Sequence, residues 1–159
     1  MGLKKSTNIF IISGGQTGVD RAALDFAIDH NIPCGGWCPK GRKAEDGIIP
    51  AKYPLKEADS EHFPIRTRQN IEHSDGTLII YCRKFDAGTG LTLQLCKKLR
   101  RPFTVIKVTD ELPLQVFSHW LKDHGITILN IAGPRESSEP GIYDKTYRLL
   151  ENLFSHFKA

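Results

Sequence analysis

Residues Ser13-Gly14-Gly15-Gln16-Thr17-Gly18-Val19-Asp20 have the makings of an anion site. Adjacent glycines leave backbone N–H groups unscreened, Gln16 and Thr17 add side-chain donors, and a helix starting there presents free N–H groups and the positive end of its dipole. The plainer alternative is a tight strand-to-helix turn. The glycine spacing does not follow G-x-G-x-x-G, and no Gly-Lys-Ser/Thr follows, so neither a standard dinucleotide fingerprint nor a P-loop is present.

Two further stretches repeat the pattern. Gly88, Thr89, Gly90 and Thr92 form a second donor set, and Gly133, Pro134 and Arg135 a third that carries a full positive charge. Arg135 is suited to bidentate contact with a phosphate or other oxyanion; the competing reading pairs it with Glu136 or Glu139 at the surface. Between the first and second sets, Trp37, Lys40, Arg42, Lys43, Glu45 and Asp46 cluster in a stretch with no sustained period, residues 36–64. A structureless segment of that length inside a domain is usually a lid, a binding loop or an oligomer contact.

Among the acids, Asp20 is a candidate general base, with dipole compensation or pairing to Arg21 as the structural alternative. Asp46 either pairs with Arg42 or meets a ligand, and Asp75 is placed to hydrogen-bond a neighbouring loop as scaffolding. The histidines show no H-x-x-x-H or H-E-x-x-H spacing. Cys34, Cys38, Cys82 and Cys96 lack knuckle spacing and read as free, mostly buried thiols, with soft-metal binding by a cysteine pair as the alternative.

The elements that must position these residues alternate. Ile9–Ile12, a short segment at Cys34, Thr77–Tyr81, Phe103–Val108 and Ile126–Ala132 read as strands. Helices are expected over about residues 17–30, with Val19, Ala22, Ala23, Phe26 and Ala27 inward, and over about 65–74. Three more are expected from 88 on with a Leu91, Leu95, Leu99 stripe, from Pro113 to His124 with Leu114, Phe117 and Leu121 inward, and at the end with Tyr143, Tyr147, Leu150, Phe154 and Phe157. This order predicts an α/β fold, a three-layer sandwich around a mainly parallel sheet of about five or more strands. In such a sheet the loops leaving the strands' C-terminal ends share one edge, so the three glycine sets are expected to meet in one crevice.

With 159 residues and 40% hydrophobic content, the chain matches a single domain with a sizeable core. Its formal charge of +4 is dispersed, which argues against a nucleic-acid stripe. No apolar run reaches membrane-span length and the start has no signal-peptide pattern, so a cytoplasmic location is expected.

Taken together, residues 13–21, the segment Gly36-Trp37-Cys38-Pro39-Lys40-Gly41-Arg42 with its Glu45-Asp46-Gly47, Ile49-Pro50 and Tyr53-Pro54-Leu55 continuation, Gly88–Thr92 and Asn130–Ser137 resemble the molybdenum carrier family. That family is similar to the Rossmann-like, lysine-decarboxylase-like (SLOG) superfamily, which includes phosphoribohydrolases. The resemblance implies a homo-oligomer binding molybdenum cofactor, or another small anionic nucleotide-like ligand, at the glycine loops, with Trp37 stacking on the pterin and molybdoenzymes as recipients. The phosphoribohydrolase branch carries a glutamate where this chain has Thr92. A carrier or sensor without turnover is therefore the first expectation, a nucleotide phosphoribohydrolase or N-glycosidase using Asp20 or Asp46 the alternative, and an interaction module with a vestigial crevice the third.

Overall fold

The computed structural model describes residues 8–110 and 114–155; Pro113, His156 and Phe157 lie outside the described residues. In chain order the elements are β1 (Phe10–Ile12), α1 (Val19–Asp29), β2 (Cys34–Gly35), β3 (Trp37–Cys38), β4 (Lys43–Ala44), β5 (Gly47–Ile48), β6 (Lys56–Glu57), α2 (Phe63–Glu72), β7 (Gly76–Tyr81), α3 (Ala87–Lys98), β8 (Phe103–Lys107), α4 (Leu114–Asp123), β9 (Ile128–Ala132) and α5 (Ile142–Leu153). The main sheet has five strands in the order β2-β1-β9-β7-β8, every neighbouring pair parallel. Strand–helix alternation thus gives the expected Rossmann-like layering.

The main core forms where Ile9, Ile11, Leu78, Ile80, Leu129 and Ile131 of the sheet meet Phe26 of α1, Phe117 and Leu121 of α4, and Ile142, Leu150 and Leu153 of α5. Ala22, Ala23 and Ala27 are fully buried along α1, so α5 packs closely against it. Residues alternating with these, Ile12 and Ile79, belong to the other face, where α3 packs on β7 and α2 on α3.

Two helix stripes differ from the periodic reading. Helix α3 buries Thr89, Thr92 and Cys96 and leaves Leu91, Leu95 and Leu99 half-buried, because its small side chains allow close approach to the sheet. Helix α5 buries Ile142, Thr146, Leu150 and Leu153, which rotates Tyr143 and Tyr147 to its flank. There their hydroxyls donate to Asp25 (2.5 Å) and Asp29 (2.6 Å) of α1.

The stretch without period is not structureless. Strand β3 pairs with β6 in parallel and β4 with β5 antiparallel, all two residues long. Ile49, Tyr53 and Leu55 form a second small core with Leu24 and Cys38. Arg42 binds this segment together: its guanidinium donates to the carbonyls of Ile49, Pro50, Tyr53 and Leu55 at 2.8–3.2 Å.

Asp75 is the scaffold residue its position suggested. Its Oδ2 accepts from Thr127 N–H (3.1 Å), the Thr127 hydroxyl (3.1 Å) and Ile128 N–H (2.9 Å), tying the start of β7 to that of β9. Asp75→Ala is expected to cost about 1–2 kcal/mol in urea unfolding with no effect on ligand affinity.

Candidate functional site

The turns after β1, β7 and β9 border a cavity of about 330 Å³ at the C-terminal edge of the sheet. Gly14 and Gln16 contribute from the first turn and Asp20 from the start of α1, Asp86 from the second turn with Gly88 and Thr92 from α3, and Asn130, Gly133 and Arg135 from β9 and the third turn. The crevice foreseen from the glycine sets therefore forms. Gly18 and Pro134 hold the first and third turns together: Val19 N–H donates to the Pro134 carbonyl, and a Cβ on Gly18, already at φ +81°, would lie 2.4 Å from that oxygen.

The remaining wall is helix α2, which sequence reasoning left out. Phe63, Pro64, Arg66, Thr67 and Asn70 line the cavity. Arg66 lies flat on the first turn, where a Cβ on Gly14 would sit 1.7 Å from its Nη1. Its Nη1 donates to Asp20 Oδ2 at 3.3 Å, Phe63 stands 5.4 Å from its guanidinium carbon, and its Nε is buried without a partner. The available signal was the i, i+3, i+4, i+7 set of Phe63, Arg66, Thr67 and Asn70, a polar face on a helix whose Ile65 points to solvent.

Asp20 is buried at the start of α1 and accepts from Gln16 N–H at 3.3 Å. Burial pushes its pKa up to about 6; Arg66 and the Gln16 N–H pull in the opposite direction, and the charge of Asp86 adds to the rise. Its partner is Arg66 rather than Arg21. Arg21 instead forks onto Asp46 at 3.0 and 3.1 Å, so Asp46 pairs with Arg21 and not with Arg42.

Several N–H groups expected to face a ligand already have internal partners. Gln16 Oε1 accepts from Thr17 N–H and Glu45 N–H, so this side chain acts here as an acceptor. Asp86 caps α3 by accepting from Thr89 N–H and its hydroxyl and also takes Arg135 N–H. Burial opposes ionisation of Asp86, but these donors outweigh it and hold its pKa below the usual carboxylate range. Glu136 accepts from Gly141 N–H and Tyr143 N–H at the start of α5. The cations on the cavity wall are Arg66, 3.3 Å from Asp20, and Arg135, 3.7 Å from Glu45.

Of the residues singled out from sequence, Gly14, Gln16, Gly88, Thr92, Gly133, Arg135 and Asp20 line the cavity. Gly15, Thr17, Gly18, Thr89, Gly90 and Pro134 do not line it. Gly88 and Gly90 are not demanded by crowding, since a Cβ on either would meet nothing closer than 3.8 Å. Trp37, Lys40 and Arg42 lie off the cavity wall. The Trp37 ring stands 5.7 Å from His73 with Lys56 5.6 Å from its centroid, Lys40 is exposed, and Arg42 is committed to backbone carbonyls. Arg135 Nε is 3.7 Å from Glu45, while Glu139 pairs with Arg83 and Glu136 caps α5. Thr92, at the position of the missing glutamate, donates to the Gly88 carbonyl. All four cysteines are free thiols, three of them buried.

A parallel α/β sheet with a cavity at its C-terminal edge and glycine-bearing turns around it defines a Rossmann-like ligand-binding protein. The chain belongs to the circularly permutated YpsA SLOG family, whose model matches residues 11–154. It is also similar to a crystal structure from Syntrophus aciditrophicus SB, named a "Putative molybdenum carrier protein". The two are 44% identical with a TM-score of 0.86, over 94% of this chain and 96% of that one. No curated protein matches.

Proposed function

We propose that the protein is a carrier or sensor that binds a small anionic, nucleotide-like ligand in the edge cavity without turning it over, with molybdenum cofactor as cargo. The observation that carries this reading is Arg66, a largely buried cation laid on Gly14 in a cavity that Arg135 also lines. A ligand oxyanion in the cavity would accept from the guanidinium of Arg66 that lines it. The residues present fit the cofactor's chemistry: Arg66 and Arg135 suit phosphate and oxo oxygens, and Phe63, Pro64 and Leu91 offer apolar surface to a pterin. In this reading Trp37 supports Asn70, which bonds its N–H and carbonyl, instead of stacking on the ligand. Cytoplasmic location, a homo-oligomer and molybdoenzyme recipients belong to the same proposal. Among the described residues no helix is long and apolar enough to cross a membrane.

Titration calorimetry with molybdenum cofactor and with adenosine monophosphate tests it. Saturable binding without product release supports a carrier; absence of binding to either removes the reading. Arg135→Ala should weaken adenosine monophosphate by about 1–2 kcal/mol, the smaller end reflecting its exposure.

One observation favours a second reading, a nucleotide N-glycosidase. Asp20 is a buried carboxyl in the cavity with a pKa near 6, which suits an acid or base working near neutrality. Ribose phosphate released from a nucleoside monophosphate by the wild type, and not by Asp20→Asn, would establish it.

A further inference from the structure

Glu45 occupies the place of an anion. Its carboxylate accepts from the Thr17 hydroxyl, from Ser137 N–H at 3.1 Å and from the Ser137 hydroxyl, and Arg135 Nε lies 3.7 Å away. These donors come from the first and third turns, which Gly18 and Pro134 keep in contact. Hydroxyl, amide and guanidinium donors converging on two oxygens make a set that a phosphate-like oxyanion would use equally well. Although partial burial opposes it, the bonds from Ser137 and Thr17 hold the Glu45 pKa below the ordinary range, so the group presents a full charge to the set.

The carboxylate arrives from a tip that can leave. Strands β4 and β5 form a hairpin with Glu45 and Asp46 at its turn, and Ile48 on it is 77% exposed. The tip is tied down by polar contacts near the surface: Glu45 N–H to Gln16 Oε1, Asp46 to Arg21 and Lys43 to Glu61. Its base is held separately, by buried Ile49, Tyr53 and Leu55 and by the Arg42 guanidinium. Lifting residues 43–48 therefore withdraws only the half-buried Ala44 from that small core and leaves its buried residues in place.

We propose that Thr17, Arg135 and Ser137 form an oxyanion subsite beside the cavity, closed by Glu45 as a tethered stand-in, and that a phosphate-like group binds there by displacing Glu45 and lifting the 43–48 tip. Arg135 lines both subsite and cavity, so the inference rests on the cavity being a ligand site and extends it to a second anionic group.

Calorimetry with inorganic phosphate tests this. Glu45→Gln keeps the side chain's shape and removes the competing charge, and should bind phosphate about tenfold tighter if the wild type is closed about nine-tenths of the time. Adding Ser137→Ala should abolish the gain. An unchanged or weaker affinity in Glu45→Gln, or a gain that survives Ser137→Ala, overturns the subsite. On the unaltered chain, phosphate should shift the Ser137 amide resonance and speed tryptic cleavage after Lys43; an unmoved amide and unchanged cleavage at saturating phosphate overturn it without any variant. Arg66→Ala separates the two readings, because it acts on adenosine monophosphate in the cavity and leaves the phosphate gain of Glu45→Gln in place.

Discussion

Arg66→Ala is expected to lower affinity for adenosine monophosphate about a hundredfold, the effect of losing a charge-assisted contact in a partly desolvated site. The loss has two sources. The cavity gives up a largely buried guanidinium, and Asp20, 3.3 Å from it, keeps its negative charge with no counter-charge beside it. The same change should destabilise the fold by about 3 kcal/mol at pH 8, where Asp20 must stay ionised or take up a proton, and by much less at pH 5. Calorimetry and urea unfolding at the two pH values check both parts. Full affinity in Arg66→Ala would remove Arg66 from the ligand site.

Asp20→Asn is expected to flatten the dependence of stability on pH between 5 and 8. Burial raises the folded-state pKa of Asp20 from 3.8 to about 6, with Arg66 offsetting it only in part. A carboxyl that is harder to ionise folded than unfolded contributes stability that is fully present below its unfolded value and is lost as pH rises through the folded one. The lost share is about 3 kcal/mol over the whole span from pH 4 to 7, about half of it between pH 5 and 8, and with only 6% of the side chain exposed little solvent screening applies. Asp75 and Asp86, whose pKa values are lowered, act in the opposite sense at more acid pH: burial opposes their ionisation, but donated hydrogen bonds prevail. Wild-type stability should therefore rise from pH 8 toward 5 before falling in acid, and the variant should lack the rise. Parallel profiles would contradict the burial of a charge at this position.

The sheet was legible because its strands are short β-branched runs broken by glycine and proline, and β7, buried along nearly its whole length, reads as one apolar block. Helix α1 was legible for a similar reason, since Val19, Ala22, Ala23, Phe26 and Ala27 all face the core. Period alone failed for α3 and held in part for α5, where Leu150 and Phe154 are in the core. A helix that packs through Thr89, Thr92 and Cys96, or one whose tyrosines bond to carboxylates across the interface, does not bury its largest residues. Strands β3 to β6 are too short to show any period.

For the site, the meeting of the glycine turns follows from sheet topology and was accessible from sequence. The charges were not. Asp20 with Arg66 and Asp46 with Arg21 are pairs between segments 25 or more residues apart, fixed only by how α2 and the 43–48 hairpin fold back over the first turn. Arg42 and Trp37 looked like ligand contacts because a cation and an aromatic in an irregular loop usually are exposed. Here the carbonyls of that loop engage one, and Asn70 and His73 engage the other.

A crystal structure of the protein grown with adenosine monophosphate tests the central claim most directly. The account predicts nucleotide density in the edge cavity, with a phosphate oxygen within hydrogen-bond distance of Arg66 and the base against Phe63 and Leu91. Nucleotide bound elsewhere, with Arg66 still on Asp20 and the cavity filled only by water, would contradict it.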